Sequence, residues 1–126
     1  MEKRFLLHLK KVGDFVSKRK INLGKVYRIE DGSGYAHPGM PFKGYKKKGK
    51  YDVVKFTTST KKSYPLNSNP TKNPNNKSRV RKRPERVGDD FIKREIIDFK
   101  IIDKSDKKLI QLVKRNPIKD RTKKKK

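Results

Sequence analysis

Apolar residues recur at helical spacing near the start of the chain. Spacings of three and four residues place side chains on one face of a helix. The pattern predicts an amphipathic helix over roughly residues 3 to 18, inside an N-terminal segment 1–20, and Gly13 marks a point at which it can end. The positions of the apolar face are Phe5, Leu6, Leu9, Val12 and Phe15 or Val16.

Two segments have the composition of β-strands. The stretch LGKVYRIED contains Val26, Tyr27 and Ile29 and leads into a turn signal, EDGSG. The stretch KYDVVKFTTS is the clearer strand, because β-branched and aromatic residues dominate it. Between them, GYAHPGMPFKGYKKKG is rich in Gly, Pro and Lys. We therefore expect irregular structure there, with one short strand at most.

Residues 61 to 90 contain almost no apolar side chains. Asn-Pro occurs twice there among several Asn and Ser residues, which favour turns and extended chain. A segment of this composition and length predicts a long basic loop.

The last part of the chain predicts β-structure followed by a helix. The stretch FIKREIIDFKIID is dense in Ile and Phe and predicts one or two β-segments. SDKKLIQLVKRN predicts a helix with Ser105 or Asp103 as its N-cap. The final KDRTKKKK, within segment 117–126, predicts a disordered basic tail. The apolar stripe of the helix is expected to comprise Leu109, Ile110, Leu112 and Val113.

Charge is the strongest feature of the composition. The chain has 126 residues, enough for one small domain, and with 30% hydrophobic and 40% charged residues its core is expected to be thin. A net charge of +25 attracts polyanions, and nucleic acid fits better than a membrane surface because no long apolar run is present. The duller alternative is a host whose proteins are all rich in lysine. Between Gly32 and Pro84, fourteen Lys or Arg accompany a single acid, Asp52, which predicts an electropositive face.

The residue types present exclude several chemistries. The chain has no cysteine, which rules out disulfides, zinc knuckles and thiol catalysis. His8 and His37 lie far apart in sequence, so we expect no metal site and no cofactor. The N-terminus lacks the uninterrupted apolar core and small-residue cleavage site of a secretory signal, so a cytoplasmic location is expected.

The order of four short motifs resembles the MazF/PemK-like toxin family. The motifs are GKVYRI, AHP, VVKFTTS and IIDFKIIDKSDKKLI, and YPLNSNPTKNPNNKSRV further resembles a PemK-like branch with an Asn-Pro-rich loop. The resemblance covers about residues 22 to 115. The chain departs from the family in carrying GMPFKGYKKKG where an apolar strand is usual, and His37 where Arg is common.

This resemblance implies an α+β fold. A small SH3-like β-barrel core over residues 21–116, with the long loop 61–90, would carry an N-terminal helix and a C-terminal helix. It also implies a metal-independent endoribonuclease toxin that cleaves single-stranded RNA, is held in check by an antitoxin protein and forms a homodimer. The alternative is a non-catalytic basic nucleic-acid-binding module, such as a phage or mobile-element accessory protein or a ribosome-associated protein.

Metal-free RNA cleavage needs a proton acceptor, a proton donor and cations beside the phosphate. His37 suits either proton-transfer role because its ordinary pKa lies near neutrality. Its structural alternative is a loop histidine that packs against Pro38 or Tyr35. Hydroxyl and N–H donors are expected from the TTS stretch, and guanidinium groups from RVRKR. The predicted catalytic residues are His37, Thr58, Ser59, Arg79 and Arg81, with Thr57 and Arg83 as further candidates.

RNA binding is expected to use exposed lysines beside exposed aromatic rings. If Val54 and Phe56 face the core, Lys55 and Thr57 point outwards by strand alternation, although TTS is also ordinary strand sequence. Among the rings of Tyr35, Phe42, Tyr45, Tyr51 and Tyr64, Tyr45 is the one we expect to be exposed. The predicted nucleic-acid-binding residues are Lys46, Lys47, Lys48, Lys55, Lys61, Lys62, Lys82, Arg83 and Tyr45.

Overall fold

A single sheet and one helix make up the computed structural model, which describes residues 20–30, 36–71 and 77–122. The N-terminal helix predicted over residues 3 to 18 lies outside these ranges, as do Tyr35 and the last four lysines. The strands of the described residues are β1 Tyr27–Glu30, β2 Ala36–Tyr45, β3 Lys50–Thr57, β4 Ser63–Pro65, β5 Arg79–Arg81, β6 Glu85–Gly88, β7 Ile92–Glu95 and β8 Lys119–Asp120. The helix is α1 Lys104–Val113, and two single turns of 3-10 helix are Lys46–Lys48 and Asp89–Phe91.

Strand β3 lies at the centre of the sheet. One of its edges pairs with β2, while the other pairs with β6 along residues 50–53 and with β5 at Phe56 and Thr57. Strands β1 and β7 continue the sheet beyond β2, and β4 lies beyond β5. The pairs are antiparallel except for the short parallel pair of β6 with β8.

The sheet is open, so the predicted closed SH3-like barrel is wrong. Within the described ranges β7 pairs with β1 alone, and no pairing connects it to β4, β6 or β8 at the other side. The chain passes from β6 to β7 through the 3-10 turn Asp89–Phe91, which joins the two strands without hydrogen bonds between them. The fold is therefore a mostly antiparallel open sheet with one described helix.

Both faces of β3 are buried, because apolar residues cover the sheet on each side. Val54 and Phe56 pack with residues of α1 and with Phe99, whose ring centroid lies 4.8 Å from that of Phe56. Val53 points to the opposite face and packs in a second cluster with Tyr27, Ile29, Val87 and Ile92. Strand alternation places Lys55 and Thr57 on that second face.

Burial of the second face overturns the expectation that Lys55 and Thr57 point into solvent. Lys55 is 1% exposed and Thr57 is 6% exposed. The sequence pattern assumed one wet face, as in many antiparallel sheets, whereas β1, β6 and β7 supply apolar cover on that side.

Strand β2 occupies the segment that was expected to be irregular, and it is the longest strand described. A Cβ on Gly39 would lie 2.5 Å from Ile29 Cγ1, so the absence of a side chain lets β1 and β2 pack closely. A register shift between Pro41 and Lys43 accommodates Pro41, which cannot donate to a neighbouring strand. The Gly and Pro residues thus serve close packing rather than ending the strand.

The predicted long loop 61–90 is also wrong over the residues described. Strands β4, β5 and β6 lie within it, and buried Val80 and Val87 attach β5 and β6 to the two apolar clusters. The Asn-Pro segment is held against the helix, since Asp106 accepts hydrogen bonds from the N–H groups of Asn67 (2.6 Å) and Ser68 (3.0 Å).

The predicted C-terminal helix is present as α1, and Asp103 is its N-cap, accepting a hydrogen bond from Asp106 N at 3.1 Å. Ile110 and Val113 are buried, but Leu112 is 58% exposed and lies outside the apolar stripe. The predicted disordered tail is wrong for residues 117–122, because β8 pairs with β6 there. Residues 123–126 lie outside the described ranges.

Candidate nucleic-acid interface

The turn after β3 is built by its own hydroxyl groups. Thr57 Oγ1 accepts a hydrogen bond from Ser59 N at 3.1 Å, and Ser59 Oγ accepts one from Lys61 N at 3.2 Å. Ser63 Oγ donates to Ser59 O at 2.7 Å, and Lys62 adopts the left-handed conformation with φ of 47°. Thr58 is exposed. These bonds form a rigid turn that presents Thr58, Lys61 and Lys62 to solvent.

Three residues lie level across adjacent strands next to this turn. Thr57 pairs with Arg79 of β5. The observed pairing of β2 with β3 ends at Gly39↔Lys55, and an extension of that register by two residues would bring His37 of β2 level with Thr57 on its other side. Residues level in antiparallel strands share a face, so Thr57 and Arg79 lie side by side, and the extended register would add His37 to this row roughly 10 Å from Arg79, across two strand spacings.

Ser63 fixes the guanidinium group of Arg79. Arg79 Nε donates to Ser63 Oγ at 2.7 Å, and a terminal nitrogen donates to Ser63 O at 3.0 Å. Two bonds to one residue hold the plane of the group and leave further N–H donors for another acceptor. Of the predicted catalytic set, Arg79 therefore lies beside the turn with its guanidinium group held in place, whereas Ser59 uses its hydroxyl oxygen within the turn.

Two cations contact one buried carboxylate on the same side of the molecule, and three more lie near them. Glu85 is 3% exposed, and its Oε1 lies 3.2 Å from Lys55 Nζ and 3.1 Å from Arg121 Nε. Lys119 pairs with Glu85 between β8 and β6. We call the five cations Lys55, Lys62, Arg81, Lys119 and Arg121, together with Glu85, the cationic cluster.

Repulsion between the charges of the cationic cluster affects the pKa of Lys119. Its pKa is lowered from the ordinary value, chiefly by the positive charge of Arg121 and then by burial. Glu85 acts in the opposite direction, while Lys62 and Arg81 lower the pKa further. A lowered lysine pKa caused by neighbouring cations means that the local carboxylate does not neutralise the group.

Arg81 has an unsatisfied donor in this cluster. Its Nε is buried and finds no hydrogen-bond acceptor in the described part of the chain. Buried polar atoms are almost always hydrogen-bonded, so this donor calls for an acceptor from outside the described residues. Arg81 pairs with Ser63 across β4 and β5 and lies two residues from Arg79, hence on the same face.

Tyr45 was expected to be exposed, but its side chain is half-buried by contacts with neighbouring residues. Its hydroxyl donates to Asp52 Oδ2 at 2.9 Å and accepts from Arg86 at 2.8 Å, and the guanidinium carbon of Arg86 lies 4.5 Å from its ring centroid. Arg86 also donates from Nε to Asp52 Oδ1 at 2.8 Å, and this bond is the main cause of its raised pKa. The ring is therefore packed within an ion-pair network.

Tyr64 is the exposed ring beside the basic surface. It lies on β4, is 36% exposed, and has Lys82 Nζ 5.0 Å from its ring centroid. The sequence included Tyr64 among several candidate rings but gave no signal that favoured it over Tyr45.

The remaining predicted binding residues are scattered. Lys47 and Lys48 lie at the 3-10 turn that joins β2 to β3, at the opposite end of β3 from Thr57, about 23 Å away along the strand. Lys61 and Lys82 are exposed, and Lys46 belongs to the same 3-10 turn. Arg83 donates to Pro117 O at 2.9 Å and to Ile118 O at 3.5 Å, so it holds the C-terminal segment in place.

Four residues of this surface carry no signal in the sequence that marks them as part of a site: Ser63, Glu85, Lys119 and Arg121. Lys119 and Arg121 were assigned to a disordered tail, and only the pairing of β8 with β6 brings them to the cluster. No three His, Asp or Glu side chains of the described ranges converge as they would around a metal ion. Nor is any helix of those ranges long and apolar enough to cross a membrane.

No family model, curated protein or solved structure matches this chain. The resemblance to MazF/PemK-like toxins therefore stays a prediction from short motifs.

Proposed function

We propose that this protein binds single-stranded RNA on the face that carries Arg79 and the cationic cluster. The observation that supports this most is the cluster itself, in which two of five neighbouring cations, Lys55 and Arg121, already occupy the one buried carboxylate. Holding like charges together costs free energy, and a polyanion that neutralises them recovers it. The phosphates of a nucleic acid meet this requirement because each adds a negative charge and releases bound counterions on binding.

The ring of Tyr64 supports a preference for single strands. An exposed aromatic side chain beside a lysine provides a surface on which an unpaired base stacks while cations bind the backbone. Tyr64 with Lys82 has this arrangement on the edge strand β4. Tyr64 pairs with Val80, so its ring lies on the face opposite to Arg79 and Arg81, and a bound RNA strand would pass over the β4 edge to reach both. Duplex bases are already stacked on one another and do not offer their faces to such a ring.

The first test is the salt dependence of RNA binding, measured by fluorescence anisotropy with a labelled single-stranded RNA. The logarithm of the binding constant is expected to fall with the logarithm of salt concentration, with a slope of about −0.7 per phosphate contacted. Arg81→Gln is expected to weaken binding about tenfold, since it removes a charge-assisted contact. Lys107→Gln, an equal charge change on the exposed side of α1, serves as the matched control. A flat salt response would sink the proposal.

Metal-independent RNA cleavage is a second candidate function, favoured by the pair of Thr57 with Arg79 and by the extended register that would bring His37 beside them. In this reaction the ribose 2′-oxygen attacks phosphorus, the bond to the 5′-oxygen breaks, and a 2′,3′-cyclic phosphate and a 5′-hydroxyl form. His37 would accept the 2′-hydroxyl proton or protonate the departing 5′-oxygen. Arg79, held by Ser63, would stabilise charge on the phosphorus oxygens. DNA lacks the nucleophile and would not react.

Cleavage is tested by incubating the protein with a long single-stranded RNA in EDTA. We expect discrete fragments with 2′,3′-cyclic phosphate ends, and a loss of at least about a hundredfold in rate for His37→Ala. Thr58→Ala, which alters an exposed hydroxyl of the neighbouring turn, tests the other predicted catalytic hydroxyl in parallel. Binding without fragments would assign the chain to the non-catalytic class of nucleic-acid-binding modules.

We further propose that the protein is a cytoplasmic, homodimeric toxin that is inhibited by an antitoxin protein. This follows from the motif resemblance, and the electropositive face adds that an inhibiting partner would present acidic side chains to the cationic cluster. Cleavage activity that disappears on addition of an acidic partner protein would support this proposal.

A further inference from the structure

The C-terminal segment is fixed to the sheet by bonds along its length. Asn116 Nδ2 donates to Lys82 O at 2.6 Å, and Lys119 N donates to Pro84 O at 2.9 Å. Arg121 N donates to Arg86 O at 2.9 Å. Together with the two bonds from Arg83 to the carbonyls of residues 117 and 118, these contacts place β8 in one register beside β6.

We infer that β8 completes a phosphate-binding site, in which Lys119 and Arg121 act with Lys62 and Arg81 on one phosphate group of the RNA backbone. This inference rests on the proposed function and names the site within it. A terminal strand, rather than an unstructured basic end, would then supply half of the cations at the site.

Glu85 anchors the strand without neutralising the site. Its Oε1 is engaged by both Lys55 and Arg121, and burial closes the carboxylate to other cations. No ion pair joins Lys62, Arg81 or Lys119 to a carboxylate of the described residues. Three positive charges therefore remain beside a carboxylate that is already used, an arrangement that favours an incoming anion.

Arg81 supplies the directional part of the site. Arg81 is half-buried, and its Nε is committed to no acceptor among the described residues. A guanidinium group binds phosphate through two parallel N–H bonds, for which the other nitrogens of Arg81 are available. The lowered pKa of Lys119 agrees with this geometry, because a bound phosphate would relieve the repulsion from Arg121, Lys62 and Arg81. Lysines contribute as point charges around the directional guanidinium.

The test compares two double variants of the full chain with the same change in net charge. Lys119→Gln with Arg121→Gln alters the site, and Lys107→Gln with Lys108→Gln alters exposed lysines of α1. Binding of a single-stranded RNA is measured over a salt series. The site variant is expected to lose about tenfold or more in affinity and about 0.7 in salt slope, one phosphate contact, whereas the control keeps the wild-type slope.

Folding and binding are separated by a single variant. Because Arg121 also forms an ion pair with Glu85, the melting temperature of the double variant is measured to detect any loss of stability. The single variant Lys119→Gln removes a charge without breaking an ion pair. A folded Lys119→Gln protein with wild-type affinity and slope overturns the inference. If the wild-type chain itself does not bind RNA, the proposed function fails instead, so the two failures are distinguishable.

Discussion

Two tyrosines show how neighbouring contacts decide the role of a residue. Tyr45 and Tyr64 both lie among lysines in the sequence, and composition gives them equal prospects as stacking surfaces. In the structure Tyr45 is committed to Asp52 and Arg86 through its hydroxyl, whereas the ring of Tyr64 meets solvent on an edge strand. The difference arises from the pairing of β3 with β6, which brings Arg86 opposite Asp52.

Replacing each tyrosine separates stability from binding. Tyr64→Ala is expected to weaken single-stranded RNA binding about tenfold, since base stacking on one ring contributes about 1–3 kcal/mol. Tyr64→Phe keeps the ring and should keep the affinity. Tyr45→Phe instead loses its bonds to Asp52 and Arg86, so it should lower the melting temperature and leave the affinity of the folded protein unchanged. Equal affinity for Tyr64→Ala and the wild type would remove Tyr64 from the interface.

At the scale of elements, the start of α1 connects two distant parts of the chain. Asp103 caps the helix and accepts a bond from Asn67 Nδ2 at 2.9 Å, while buried Asp106 receives the backbone N–H groups of Asn67 and Ser68. The carboxylates therefore hold the segment that follows β4 against the helix. Hydrogen bonds from Ser105, Asn67 and Asp106 keep the pKa of Asp103 well below its usual range.

The lowered pKa of Asp103 gives stability a definite dependence on pH. A carboxyl whose folded pKa is depressed stabilises the fold fully above its unfolded pKa, about 3.9, and this contribution is lost as pH falls towards the folded value. We expect Asp103→Asn, which keeps a capping oxygen, to unfold at a lower temperature at neutral pH. Below about pH 4 its melting temperature should fall less steeply than that of the wild type. The reason is that the variant lacks the one carboxyl whose protonation destabilises the wild-type fold. Parallel melting curves throughout that range would exclude the account.

Elements with a local signal were predicted, and elements that depend on distant pairing were not. The VVKFTT strand and the helix with its Asp103 cap have a propensity pattern or a capping residue in the sequence. Strands β2, β5 and β8 have no such pattern. Gly39 disfavours a strand in the sequence pattern, and only its close packing against Ile29 explains why a strand forms there. Strand β8 has only two residues, and its partner strand lies more than thirty positions earlier in the chain.

For the molecule as a whole, the charge distribution was predicted more reliably than the architecture. The acid-poor range from Gly32 to Pro84 does contribute Arg79 and Arg81 to one face, and the charge of its Lys62 acts on Lys119 of the cationic cluster. The sequence placed Lys55 in the same set, whereas an ion pair with Glu85 buries it. Whether a lysine meets solvent depends on which face of a sheet is covered, and composition does not carry that information.

The attachment of β4 and β5 has a consequence for how the protein responds to a ligand. Over the described residues, this two-stranded unit pairs with β3 through two residue pairs alone, Phe56↔Val80 and Thr57↔Arg79. So short a ladder permits the unit to open while the rest of the sheet stays closed, and its amide hydrogens should exchange faster than those of β2 and β3. A strand of RNA held by Arg79, Arg81 and Tyr64 would bind the closed form selectively. The ligand would then slow exchange most in the part of the molecule that opens most easily by itself.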